Sequence, residues 1–389
     1  LFVQHGGRIA VLDAASGTPE RSFQATVAAP DWSALYRLEP TEDATTISAL
    51  DVRDGATLRR NTISGSYDFP HAYTAAPSGL SPDGRWLALA GPKTKVPATS
   101  RFAVLDTATL RPVARIELGG DFSYDALGND GRSLYLVEHP RPGETVYLVR
   151  VWDLERGALL DGVIADPKQR VVVQGVLSAA QARQVQLMNG IYHTSLPSKD
   201  GSWLYSLYFS PTEGPFIHAL NLRARNAFCI LGLPVVAGAD LKRSMWALAM
   251  APRGDRLYVA NGALGVVAEI DTAALKVLRT SRVDGLGEAG AASTRFPAGG
   301  AVVSPDGRQL YVVGERGLLA VDTAKLSVRA THLPDHAIAA VALSPDGKRL
   351  YALGAAGGEI WGIDAVSGGA LATITTTGSA TAILRVTSR

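Results

Sequence analysis

Ser304-Pro305-Asp306-Gly307-Arg308-Gln309-Leu310-Tyr311 reads as a tight turn running into a strand. Proline presets φ at the first central position, aspartate hydrogen-bonds the backbone just beyond it, and glycine takes the left-handed conformation. The phrase recurs as Ser81-Pro82-Asp83-Gly84-Arg85-Trp86-Leu87 and as Ser344-Pro345-Asp346-Gly347-Lys348-Arg349-Leu350-Tyr351. Degenerate copies start at Pro30, Asn129, Lys199 and Pro252, among them Asn129-Asp130-Gly131 and Lys199-Asp200-Gly201. Each copy marks one hairpin.

Further along each repeat comes a second phrase of two apolar residues and an aspartate, centred on Asp13, Asp51, Asp106, Asp153, Asn221, Asp271, Asp322 and Asp364. The Asp or Asn side chain accepts its own backbone N–H groups there, so these residues are turn formers and not catalytic acids. Apolar runs such as Leu257-Tyr258-Val259-Ala260 and Val266-Val267-Ala268-Glu269-Ile270 lie between the two phrases, and Val277-Leu278-Arg279-Thr280 follows the second. With the strand that enters the first turn, one repeat holds four short antiparallel strands, which is a propeller blade.

Eight second phrases stand against seven turn phrases, because the first repeat lacks its inner strand. Ala380-Thr381-Ala382-Ile383-Leu384-Arg385-Val386 is a strand with no blade of its own. The expectation is therefore an all-β, closed β-propeller of eight four-stranded blades, whose first blade is completed by the C-terminal strand and leaves no free sheet edge. Seven blades is the alternative, since Val27 to Trp32 leaves little length for an inner strand in the second repeat. Residues 1–389 read as a single domain. The interval from Asp153 to Asn221 is longer than its neighbours by about 20 residues, which places an insertion at 165–192. Within it, Leu177 to Val185 reads as a short helix capped by Ser178.

Composition agrees. Apolar residues are 47% of the chain and charged residues 19%, enough for a large core and far from a disordered balance. The 40 glycines and 21 prolines are spread along the chain, as short strands with tight turns require. A net charge of +2 with scattered basic residues excludes a nucleic-acid footprint. No apolar run approaches the roughly 20 residues of a membrane-spanning helix. One cysteine, Cys229, excludes an internal disulfide and a multi-cysteine metal site, and so few thiols fit export. The chain starts directly on a strand, Leu1-Phe2-Val3-Gln4, so a signal or anchor upstream is expected.

The repeated phrases resemble YVTN-type β-propeller repeats over the whole chain, most closely in Ala251 to Ile270 and Val341 to Ile363. The stretches Phe122 to Leu127 and Gly214 to Leu220 are similar to a group of uncharacterised exported bacterial propellers. That resemblance implies a fold and an extracytoplasmic location, whether secreted, periplasmic or surface-anchored, and supplies no activity or catalytic residues.

The loops entering the inner strands are where a propeller funnel takes ligands. They carry His71, Tyr73, Tyr124, His193, Arg243, Trp246, Arg295 and His336, a mixture of rigid aromatic area and orienting polar groups. The plainer alternative is that these side chains plug a channel and cap strand ends. Three histidines from separate repeats are of a type that binds zinc, copper or iron, but no carboxylate sits reliably beside them, so no metal and no cofactor is expected. Asp125 is the one acidic residue beside the set that offers a base, with strand capping as its plainer role. Asn261 to Gly265 precedes no helix and is no phosphate cradle, no nucleophile elbow occurs, and Trp203 to Tyr208 reads as core strand. The leading expectation is a non-catalytic binding or scaffold propeller presenting one face to a protein or small ligand. The rivals are a metal-dependent hydrolase or a redox enzyme with a site in the channel, or a subunit of a larger surface assembly.

Overall fold

The computed structural model describes residues 1–71, 79–95, 98–140, 145–164, 177–178, 188–210, 214–230, 232–234, 245–286, 299–376 and 378–387. Among the described residues there are strands and no helix, and so none long and apolar enough to cross a membrane. The strands form an eight-bladed β-propeller of antiparallel four-stranded blades. Two compact units divide the chain: Leu1–Gln24 with Ile230–Arg389, and Ala25–Cys229.

The first unit holds blades 1, 6, 7 and 8. Blade 1 runs Pro19–Phe23, Arg8–Leu12, Phe2–His5 and finally Ala382–Arg385, the C-terminal strand in the innermost place. Phe2 pairs with Arg385, Val3 with Ile383 and Gln4 with Ala382, and the Thr381 amide donates to the Gln4 carbonyl at 2.8 Å. Blades 6, 7 and 8 open on Trp246–Met250, Ala301–Val303 and Ile338–Leu343, and these inner strands touch one another and Ala382–Arg385 in succession.

Blades 2 to 5 make the second unit. The inner strand of blade 2 is only Val27–Ala28, the shortness that made the count uncertain from sequence. In blade 3 the strands Trp86–Ala90, Ala98–Asp106 and Arg111–Gly119 are regular, while the innermost place is held by isolated bridges of Asp68 to Ala90 and Leu80 to Leu87. Blade 4 opens on Phe122–Leu127 and blade 5 on Ile191–Pro197.

Both repeated phrases do what their residues dictate. In the first, Ser304 Oγ donates to Asp306 Oδ1 at 2.5 Å and accepts the Gln309 amide at 2.9 Å. Ser81, Ser198 and Ser344 repeat the pattern. The serine hydroxyl holds Asp200 down to about 2 and depresses Asp306 and Asp346. The turn glycine must be glycine: at Gly347 φ is +72°, and a Cβ would stand 2.8 Å from Pro305 of the preceding blade.

In the second phrase all eight Asp or Asn side chains accept backbone amides two or three residues on. The residue four after each has positive φ: Gly17, Gly55, Gly157 and Gly368, but also Leu110, Arg225, Leu275 and Leu326. Three leucines in that strained conformation are held because their side chains are buried.

Burial follows the blade order. Leu318–Asp322, third strand of blade 7, is buried throughout, whereas the outer strand Lys276–Arg282 of blade 6 is mostly exposed. The insertion is held at its edges: Gly162–Val163 pairs with Leu177–Ser178, and Met188–Asn189 adds to Val146–Tyr147. Leu177 and Ser178 are thus extended where the sequence suggested a helix start, because Gly162–Val163 offers a strand edge. The remainder of that expected helix lies outside the described residues.

Deleting residues 380–389 should strip blade 1 of its inner strand and expose the cluster that Ala380 and Val386 form with Leu1 and Val3. The cost, about 3–5 kcal/mol, should lower Tm by about 5 °C in a thermal melt. Leu384→Ser, at an exposed position of the same strand, should move it by about 1 °C or less. Equal effects would mean that the strand pairing contributes nothing.

Candidate functional site

The unit Ala25–Cys229 contains a cavity of about 720 Å³. Its floor and walls come from the short inner strand of blade 2 and its turn (Val27, Ala28, Pro30), from Gly79–Pro82 of blade 3, and from the full inner strands of blades 4 and 5. The two-residue inner strand of blade 2 leaves volume that a complete one would fill.

Both full inner strands are bulged where they meet the cavity. In Phe122–Leu127 the register shifts between Tyr124 and Ala126, so Asp125 is the extra residue. In Ile191–Pro197 it shifts between Tyr192 and Thr194, and the extra residue is His193. A bulge breaks strict alternation and re-aims side chains. Tyr124, Asp125, Tyr192, Thr194 and Ser195 line the cavity, whereas His193 is buried and does not.

Tyr147 and Tyr208 join them on the wall, each presented by a core strand of blades 4 and 5. Their rings stack at 4.7 Å with 13° between planes, and Tyr192 meets Tyr208 edge-on at 5.5 Å. The Tyr192 hydroxyl donates to Ser195 Oγ at 2.9 Å, which fixes that ring. Burial pushes Tyr192 up to about 12 and raises Tyr124 and Tyr208 further, so the phenols stay neutral.

Asp125 is the chemical centre. Among the described residues its carboxyl has no hydrogen-bond or ion-pair partner, and no lysine or arginine lines the cavity. Desolvation alone raises it to about 7. At the rim Lys93 is taken up by Asp121 at 2.5 Å and Ser123 Oγ at 3.0 Å, and burial lowers His139. Asp121 and Lys93 act on His139 in opposite senses.

Of the residues singled out from sequence, His71 and Tyr124 line this cavity. His193 sits behind it. Tyr73, Arg243 and Arg295 lie outside the described residues. Trp246 and His336 belong to the other unit, where Trp246 is buried in its strand and His336 lies 4.6 Å from the Trp361 ring. Sequence reasoning reached Asp125 only as a neighbour and placed Tyr208 in the core, which it also is; Tyr147 gave no signal beyond an alternating apolar strand. Among the described residues no three His, Cys, Asp or Glu side chains cluster in a way that holds a metal.

Behind the tyrosines, fully buried His218 lies edge-on to Tyr147 and Tyr208, at 6.4 and 6.0 Å, with both ring nitrogens unpartnered. Burial holds it down to about 4.

No family model matches this chain, and no curated protein sequence matches it. Solved structures do. Apo AztD from Citrobacter koseri superposes with a TM-score of 0.58 at 13% identity, over 98% of this chain and 95% of that one. The dihydro-heme d1 dehydrogenase NirN, solved in complex with DHE, gives 0.52 at 14%, over 98% and 73%. The periplasmic gluconolactonase PpgL of Pseudomonas aeruginosa gives 0.47 at 18%, over 88% and 96%. The likeness is one of fold.

Two pH effects follow, of opposite sign. Asp125 is raised, so its contribution to stability is complete below pH 3.8 and lost as pH rises through about 7. Asp125→Asn should stabilise the protein by about 2–4 kcal/mol at pH 8, after allowance for water in the cavity, and by little at pH 4. His218 is lowered, so its contribution is complete above pH 6.5 and lost as pH falls through about 4. Urea melts at pH 7 and 4.5 should show His218→Phe losing less than the parent on acidification, by about 2–3 kcal/mol. Parallel losses would mean that His218 is solvated.

Proposed function

We propose that this chain is an exported, non-catalytic binding propeller of the YVTN-repeat type, a single domain that takes a small organic ligand into the Ala25–Cys229 cavity. The observation that supports this best is the pairing of volume with chemistry. About 720 Å³ lies within the 300–1,000 Å³ usual for small-molecule sites, and the walls combine apolar and aromatic surface with a few polar groups. Export is supported by the repeat resemblance and by the single thiol of the sequence.

The alternative, a hydrolase or redox enzyme, draws on one feature of the same cavity. A carboxyl raised to about 7 suits proton abstraction near neutrality. We take binding without chemistry as the better reading because an apolar, aromatic wall with a few neutral hydroxyls suits holding a ligand. Hydroxyls such as those of Tyr192 and Ser195 also stabilise oxyanions, so turnover of the bound molecule is the observation that separates the two readings.

Native mass spectrometry of protein purified from its own host tests this. The expected result is a small organic molecule retained by the parent and absent from Thr194→Trp, whose indole would occupy the cavity. Adding the identified molecule at about 100 times its Kd should stabilise the parent by about 2.7 kcal/mol, a rise in Tm of about 3 °C, and leave the variant unmoved. A bound protein chain in place of the molecule, or chemical turnover of the molecule, would overturn the proposal.

A further inference from the structure

We propose that the occupant of this cavity is an organic cation, an ammonium group on an apolar body, with Asp125 as its counter-ion and tyrosine rings as its walls. This rests on the binding reading above and names the class of ligand.

The argument starts from charge. Among the described residues Asp125 is the only carboxylate lining the cavity, and no lysine or arginine lines it. A carboxylate removed from water needs a partner or a proton. Elsewhere in this unit the chain supplies partners freely: Asp153 has Arg225, Glu138 has Arg150, and Asp121 has Lys93. At Asp125 the described residues supply none.

The groups that feel the Asp125 charge come from each neighbouring strand. They are Tyr124 beside it, Tyr135 and Tyr147 from blade 4, and Tyr192 and Tyr208 from blade 5. All are neutral phenols, raised by burial and raised further by that charge. His139 on the wall is lowered, and exposed His71 lies among the lining residues. An anionic ligand would be repelled, and a neutral one, even if it donated a hydrogen bond, would leave the carboxylate charge uncompensated.

The walls fit the same occupant. Tyrosine rings carry negative potential on their faces, which attracts ammonium groups within about 6 Å of the ring centre. Tyr124 and Tyr192 are the partly exposed rings on the wall, and the buried stack of Tyr147 and Tyr208 behind them holds Tyr192 at 68° to Tyr208. Apolar surface from Val27, Leu80, Val137 and Ile191 is left for the body of the ligand.

Three probes of similar size separate the possibilities: benzyltrimethylammonium, 2-phenylethanol and phenylacetate, titrated calorimetrically into the full chain. The cation is expected to bind at least about tenfold tighter than the alcohol, and phenylacetate weakest. Because benzyltrimethylammonium keeps its charge at every pH, its affinity should rise about tenfold between pH 5.5 and 8.5 and level off above about 7 as Asp125 ionises. Asp125→Asn should level the three probes and flatten the pH profile, and Tyr192→Leu should weaken the cation more than the alcohol. Far-ultraviolet circular dichroism and Tm check that both variants fold. Alcohol or phenylacetate binding as tightly as the cation, blocked by Thr194→Trp, would overturn the cation and keep the binding site. No probe protecting the parent at millimolar concentration would overturn both.

Discussion

Every blade of this protein depends on one local interaction, a short polar side chain that accepts the backbone amides of the turn following it. An unpaired amide at a tight turn costs about as much as a lost hydrogen bond. The Asp or Asn that closes the third strand removes that cost at all eight sites, and the residue four later then turns the chain by adopting positive φ. The bulges beside these turns, such as that between Ala320 and Val321, follow from the extra left-handed residue. Strand order and burial are downstream of this. With the turns set, the second and third strands are long enough to be buried on both faces, and the outer strand is left to meet solvent.

That is why the architecture was legible. Ser-Pro-Asp-Gly and the second aspartate carry their own hydrogen-bond partners within five residues, so their geometry is set before any distant contact forms. The closing strand was legible for a different reason, by bookkeeping: eight second phrases to seven first phrases left Ala382–Arg385 as the only strand available for Phe2–His5. What escaped was everything set by distant neighbours. Leu177 and Ser178 have helical company in sequence and a strand partner in space. In blade 3, Asp68 and Leu80, well separated in sequence, both bridge to Trp86–Ala90, and no local pattern announces that.

The cavity residues were legible only in part, and the bulges explain which part. Alternation predicts which side chains share a face, and it fails wherever one residue is added to a strand. Reading the inner strands as regular puts emphasis on His193, whose extra place in the register sends it into the protein while Tyr192 and Thr194 line the cavity. The same device on the neighbouring blade leaves Asp125 as the unpaired residue of its strand. Tyr147 and Tyr208 were hidden by a second ambiguity. A tyrosine in a core strand buries its ring whether or not the cavity begins at its edge.

Departures from the repeat occur in both units, since the inner strands of blades 8 and 1 are also bulged, at Ala339 and Leu384, but those of one unit gather at the cavity. The two-residue inner strand of blade 2, the bridged inner place of blade 3, the bulges of blades 4 and 5 and the insertion at 165–192 all belong to one unit, and four of these five border the cavity through described residues. The fifth, the insertion, reaches it through its end, where Gly190 donates to Thr145 and both line the wall. A repeat that obeyed its own pattern at every inner strand would fill this space with apolar side chains and bury no charge. Holding an unpaired carboxyl and an unpartnered His218 behind a tyrosine stack is destabilising, and eight self-capped turns are what allow the fold to carry it. Local regularity thus supplies the stability, and local irregularity supplies the site.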